Sequence, residues 1–304
     1  MYRLIGIIIA ACGVLVAALG FANVLPHMGT SGIFLVIVGV LLIGLSFVPL
    51  PESVESEPMP FPMTLLKMFY APTEVFQNLR RHPKFLGVVL MSTLISGAYT
   101  VAFVNKLTPE RIANHTIEKL SEKGWVPADK MGDVKSQTLE TTKNPYARAG
   151  QIVNSFGWGV LLVSFLGLVF WLIALAFGGK MNYLQAVSAT AYASFPIVVI
   201  QKGLSFLILY LKDATEIHPI LGQNGLLQDS LNFLITPSAS PVLFVLLSSI
   251  SLLAIYSLWL LATGLKNTGD RVSSGAAWTS AILLWILGTT AGTVMAIFFG
   301  NFMT

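Results

Sequence analysis

Seven apolar runs of membrane-spanning length, with almost no charge inside them, constrain this chain more than any other feature. A helix crossing the roughly 30 Å hydrocarbon core of a bilayer needs about 20 apolar residues. Runs of that kind fall at about 4–25, 31–50, 85–105, 151–177, 184–211, 241–265 and 275–300. Lipid offers no hydrogen-bond partner, so each run must satisfy its own backbone, which a helix does. None alternates with the period of two that barrel strands need. Charged residues make up 11% of the chain, against about 25% in soluble domains. The expected fold is therefore all-α: a polytopic transmembrane bundle of about seven spans with a small extramembrane helical hairpin.

The first run is longer than a typical signal core and only Arg3 precedes it, so it is expected to remain as a span. It pairs with the second through the short turn 23–30. Orientation follows from basic residues in short loops. One side carries Arg3, Lys67, Arg80, Arg81, Lys84, Lys180, Lys266 and Arg271; the short segments of the other carry only Lys212. This predicts a cytoplasmic N-terminus and an external C-terminus. Segment 107–148 then lies outside, and its seven bases and six acids nearly cancel.

Three domains of different character are expected. Residues 1–50 form an N-terminal helix pair, and 51–63 (PESVESEPMPFPM) form an acidic, proline-rich linker. The remainder, 64–304, opens with an interfacial stretch over 64–82. After Pro72, Thr73 caps a short helix whose Val75, Phe76 and Leu79 share one face. That face suits a membrane-surface helix or a protein docking surface, with Arg80, Arg81 and Lys84 at headgroup level. The insert 107–148 reads as two helices. The first starts at Thr108-Pro109-Glu110, a turn at Trp125-Val126-Pro127 follows Gly124, and the second ends at Asn144-Pro145.

Within 178–202 the small residues Ala186, Ser188, Ala189, Ala191, Ala193 and Ser194 favour close helix approach. Pro196 should bend the helix and free a carbonyl. Tyr192, Pro196, Gln201 and Lys202 together form a candidate ligand or partner site. Two readings of Lys202 stand: a functional charge within the membrane, or a helix end near Ile200, broken at Gly203, from which Lys202 snorkels.

From residue 64 onward the order of parts resembles the bacterial branch of the Yip-domain membrane proteins. The stretch FYAPTEVFQNLRRHPKF (69–85) precedes a span, and a charged helical insert follows it. Gly178-Gly179 leads into a helix with Gln185-Ala186, Ala191-Tyr192-Ala193 and Pro196. SLWLLATGLK (257–266) closes a late span, and the last span carries Ala276-Ala277 and Trp285. The resemblance covers about 64–300 and leaves the N-terminal pair outside. It implies a five-helix core with an external C-terminus; the eukaryotic members act in membrane trafficking and shaping as binding and scaffold proteins, and the bacterial members imply a membrane protein without catalytic residues to transfer. The aspartate-leucine-tyrosine-glycine-proline signature of the eukaryotic branch is absent, so GTPase binding is not carried over.

His27, His82, His115 and His218 lie in separate loops without ligand partners at helical spacing, and Cys12 stands alone. No glycine-rich phosphate loop or nucleophile elbow occurs. No Asp or Glu falls in a span, whereas ion-coupled transport usually needs one. No cofactor or metal is expected, and no basic cluster is dense enough for nucleic acid. Gly288 and Gly292, four apart in the last span, are candidate helix-association positions. The expected partners are membrane lipids and other membrane subunits or a second copy. Three functions follow: a non-enzymatic scaffold acting by protein or lipid association, a transporter or pore for a lipid or small amphiphile, or an accessory subunit of a larger membrane complex.

Overall fold

A computed structural model of the chain describes residues 2–49, 57–122, 127–236 and 239–299. Among these, twelve helices form and no strand does; an isolated antiparallel bridge joins Ser230 to Ser251. Five helices are long and apolar enough to cross a membrane. They are α1 (Tyr2–Phe21), α5 (Leu86–Leu107), α8 (Pro145–Ala176), α9 (Tyr183–Leu211) and α12 (Ser274–Phe299). The shorter ones are α2 (Gly29–Leu45), α3 (Phe61–Tyr70), α4 (Pro72–Arg81), α6 (Pro109–Glu122), α7 (Met131–Lys143), α10 (Pro241–Ser248) and α11 (Leu252–Thr268). The chain forms two compact units. Residues 51–56 of the linker, and the expected turn around Trp125, fall outside the described residues.

The first unit comprises 1–47, 90–161 and 201–227. Its α1–α2 pair is built on glycines seven apart: Gly6, Gly13 and Gly20 on one helix, Gly32 and Gly39 on the other. A Cβ added at Gly32 would lie 2.2 Å from the Ala17 amide nitrogen, and one at Gly13 2.7 Å from that of Val36. The two backbones therefore touch, which is how helices associate where lipid removes the hydrophobic drive. The second helix holds 17 residues, short of a full span. It meets α8 through Phe34 and Trp158, whose ring centroids lie 5.2 Å apart, and through Ser31, whose hydroxyl donates to the Gly150 carbonyl.

The core of this unit is Tyr99, Phe103, Val104, Leu107, Ile112, Leu209 and Ile217. The expected hairpin is present as α6 packed on α7. Its start is sharp: Thr108 sits at φ +69°, a costly angle for a β-branched residue, directly between α5 and Pro109. Lys143 Nζ lies 2.5 Å from Glu110 Oε1 and holds that carboxyl below its usual range. His27, in the α1–α2 turn, lies 3.6 Å from Glu140 of α7.

The second unit comprises 48–89, 162–200 and 228–304. Its core clusters Phe170, Ala174, Met181, Ala186, Leu265, Val272, Ala276 and Ala277. The expected interfacial segment is two helices, α3 and α4, meeting at Ala71-Pro72. Lys67 bridges them to Glu74 at 2.6 Å, and this partner raises the lysine pKa. The apolar face of α4 corrects one expectation. Val75 and Phe76 are fully buried and Leu79 nearly so, packed within the unit with α11 as neighbour. A Cβ at Gly264 would lie 3.0 Å from the Phe76 ring. That face is spent on intramolecular packing, whereas α3 leaves Leu66 and Tyr70 more than 60% exposed.

The run 241–265 differs from a continuous span. It breaks at Ser249–Ser251 into α10 and α11. Serines end helices by bonding nearby backbone: Ser249 Oγ donates to the Leu246 carbonyl, and Ser251 Oγ accepts from the Ala254 amide at 2.9 Å. Trp285 of α12 donates to the freed Ser249 carbonyl, and Asp229 accepts from the Leu253 amide. The Ser249 carbonyl and the Leu253 amide are thus satisfied from within the unit.

Candidate functional site

The charge at Lys202 is where the sequence points first. The helix α9 runs unbroken through Pro196 and Gly203, so Lys202 lies within it and is half-buried. Its amine donates to the Asn224 carbonyl at 2.7 Å and sits 4.9 Å from the centroid of the Tyr99 ring. Both contacts suit a desolvated ammonium, one through a carbonyl dipole and one through the ring face. Around it, Tyr99 Oη donates to the Gly222 carbonyl at 2.7 Å, and Ser205 Oγ accepts from the Leu226 and Leu227 amides. Gly225 permits this approach: it sits at φ +140°, and a Cβ there would lie 3.2 Å from Ser205 Oγ and 3.5 Å from Gln201 Nε2. Lys202, Ser205 and Tyr99 thus hold segment 222–227 against α5 and α9.

The expected four-residue site divides. Gln201 and Lys202 belong to the first unit, and Tyr192 and Pro196 to the second, where both are buried. The partners of Lys202 are Tyr99 and Asn224, which the sequence alone did not indicate. Tyr99 is one of several aromatics in an apolar run, and Asn224 follows a loop with no periodicity. A parallel clamp lies beyond α9. Arg111 of α6 donates to the carbonyls of Ala214, Thr215 and Ile217, tying the hairpin to the turn after α9.

Beside this cluster, α5 and α8 enclose a cavity of about 420 Å³ in the first unit. Ser96, Thr100 and Val104 line it from α5, Arg148, Asn154 and Trp158 from α8. Ile112, Thr142 and Gln223 also contribute to its walls. Arg148 Nε donates to the Thr142 carbonyl at 2.8 Å, and Nη1 lies 3.4 Å from Asn105 Oδ1. Among the described residues, Asn154 Oδ1 is buried without a hydrogen-bond partner. A volume of this size falls within the range of small-molecule sites.

The remaining candidates lie in the second unit. Arg80 is paired with Asp270, Nε to Oδ1 at 2.6 Å, and its carbonyl accepts from Gln185 Nε2 at 2.7 Å. Arg81 and Lys84 are exposed. Of the glycine pair in α12, Gly288 is exposed, and a Cβ there would meet open space. A Cβ at Gly292 would lie 3.3 Å from Val245 of α10. Among the described residues no group of three or more His, Cys, Asp or Glu could hold a metal ion.

The family model described as the Yip1 domain matches residues 66–295, most of the chain and nearly the stretch on which the resemblance rested. The helix pair α1–α2 precedes the matched region. No curated protein and no solved structure matches the chain. With a family match over more than half its length, the chain belongs to the Yip1 domain family.

Proposed function

We propose that this member of the Yip1 domain family is a non-enzymatic, multi-pass protein of a bacterial inner membrane that works by protein or lipid association, as a scaffold or membrane-organising element. The family match over 66–295, on a chain with five apolar helices of spanning length, is the observation that carries this reading. The use of its polar groups supports it. Lys202 and Arg111 bond backbone carbonyls, and Arg80 pairs with Asp270. Each spends its charge on holding one segment to another. The exposed Arg81 and Lys84, and the open position Gly288, are proposed contact points for headgroups and for a neighbouring helix. The N-terminus is proposed to be cytoplasmic and the C-terminus external, from the basic residues of the short loops.

A second reading, an accessory subunit of a larger membrane complex, is favoured by the α1–α2 pair. It stands outside the family match and leaves Ile8, Val14 and Leu15 exposed. The test of both is mild-detergent purification of the tagged chain from its own host, with stoichiometric identification of what accompanies it. A fixed-ratio partner lost on Gly288→Leu or on Arg81→Glu with Lys84→Glu would support the scaffold surfaces. Retention by all these variants, with loss on deletion of α1–α2, would favour the subunit reading instead.

A further inference from the structure

The helix α8 is 32 residues long, so it spans about 48 Å at 1.5 Å per residue, well beyond a hydrocarbon core of roughly 30 Å. Its first part, 145–155, carries Arg148, Gln151, Asn154 and Ser155; the rest, from Phe156, carries no charge. The apolar part, 21 residues from Phe156 to Ala176, suffices by length and composition to cross the hydrocarbon, which leaves the polar part toward the headgroups. Trp158 marks the transition, 63% exposed, as interfacial tryptophans do. Arg148, Gln151, Ser155 and Trp158 follow one another at helical spacing along one stripe, and that stripe lines the cavity against Ser96, Thr100 and Val104 of α5.

Two features of the cavity are unfinished. The Arg148 guanidinium carries five N–H donors, and its described bonds go to neutral acceptors, one of them long at 3.4 Å. Asn154 Oδ1 is buried and accepts from nothing among the described residues. A buried acceptor left unpaired costs free energy that a ligand donor would recover. An occupant that completes both brings an anion and, beside it, a hydroxyl or an ammonium that carries N–H.

We propose that the cavity between α5 and α8 is a phospholipid headgroup site, in which Arg148 binds the phosphate and Asn154 Oδ1 accepts a hydrogen bond from a hydroxyl or ammonium of the headgroup. The acyl chains leave beside the exposed Trp158 into the bilayer. The inference rests on the reading of the chain as a lipid-associating membrane protein and names the lipid chemistry. A phosphatidylglycerol or phosphatidylethanolamine meets both requirements. A phosphatidylcholine meets only the first, because its quaternary ammonium has no N–H.

The test is native mass spectrometry of the full chain, delipidated and titrated separately with phosphatidylglycerol, phosphatidylethanolamine, phosphatidylcholine and free glycerol 3-phosphate. The expected result is one bound lipid, with phosphatidylcholine the weakest of the three and the free phosphate ester weaker still. Arg148→Gln should weaken binding on the order of tenfold, the worth of one charged hydrogen bond. Asn154→Leu removes an unpaired acceptor, so the protein should fold normally, still bind lipid, and lose its preference over phosphatidylcholine. Thr100→Phe fills the cavity and should abolish all three. Equal binding of the three lipids by the unaltered chain, or a preference that survives Asn154→Leu, would overturn the proposal. Glycerol 3-phosphate binding as tightly as the lipids would overturn the lipid assignment in favour of a soluble phosphate ester. Absence of lipid selectivity in the unaltered chain, with partner capture intact, would sink the inference and leave the association reading standing; absence of a fixed-ratio partner, with lipid selectivity intact, would do the reverse.

Discussion

A lysine amine inside an apolar run must end on something, and in this protein it ends on the Asn224 carbonyl and the Tyr99 ring. Lys202→Met leaves that carbonyl without its charged donor, a loss of about 1.5–3 kcal/mol for a hydrogen bond to a charged group. Backbone amides over 222–227 should then exchange with solvent faster, while those of α1 and α2 keep their protection. Unchanged exchange at 222–227 would mean that Lys202 does not hold the segment. Glu110 gives a second residue-level expectation. Its carboxyl is held below its ordinary value of 4.5 by the Lys143 ammonium. The pair therefore contributes fully above that value and is lost as pH falls through the lowered one. Acidification through this window should loosen the α6–α7 hairpin, read as faster amide exchange, and the step should vanish in Lys143→Gln. Both residues were visible in the sequence as charges, but their partners were not. Asn224 is 22 residues from Lys202, and Lys143 is 33 from Glu110, so only the folded chain selects them.

At the scale of elements, the α1–α2 pair is the most demanding. Its glycines recur every seven residues on both helices, a signal that was present in the sequence and that the hydropathy of the runs concealed. Gly32→Leu must force two touching backbones apart, and overpacking of this kind typically costs 1–3 kcal/mol or more. A Cβ at Gly44 meets open space, so Gly44→Leu is the matched control. Thermal unfolding in detergent should fall for the first and hold for the second; equal melting of the two would mean that the pair is not closed by its glycines. The break between α10 and α11 shows the opposite limit. Its serines sit in an apolar run whose hydropathy is that of a span, and Ser249 and Ser251 end and cap helices only because Trp285 and Asp229 take the freed backbone groups. For α4 the amphipathic pattern was legible, but pattern alone does not separate lipid from protein as the apolar neighbour. The burial of Phe76 decides for protein.

For the whole molecule, the proposed orientation is open to direct measurement. In a Cys12→Ser background, Ser136→Cys in the exposed hairpin should react with an impermeant thiol reagent in intact cells. Thr73→Cys in α4 should react only after the membrane is opened; the reverse labelling would invert the topology. What the sequence by itself determined is the class of the protein: apolar runs that lipid obliges to be helices, a charged insert that cannot enter lipid, and an order of motifs sufficient for the family. These are local properties, set by composition over twenty residues at a time. The tertiary structure decided which polar groups meet. It placed Arg148 and Asn154 of α8 beside Ser96 and Thr100 of α5 around one cavity, and it gave Lys202 a carbonyl as its partner. Inside a membrane protein each polar group must find a partner or stay costly, and the choice among distant candidates is made by packing, which no local pattern encodes.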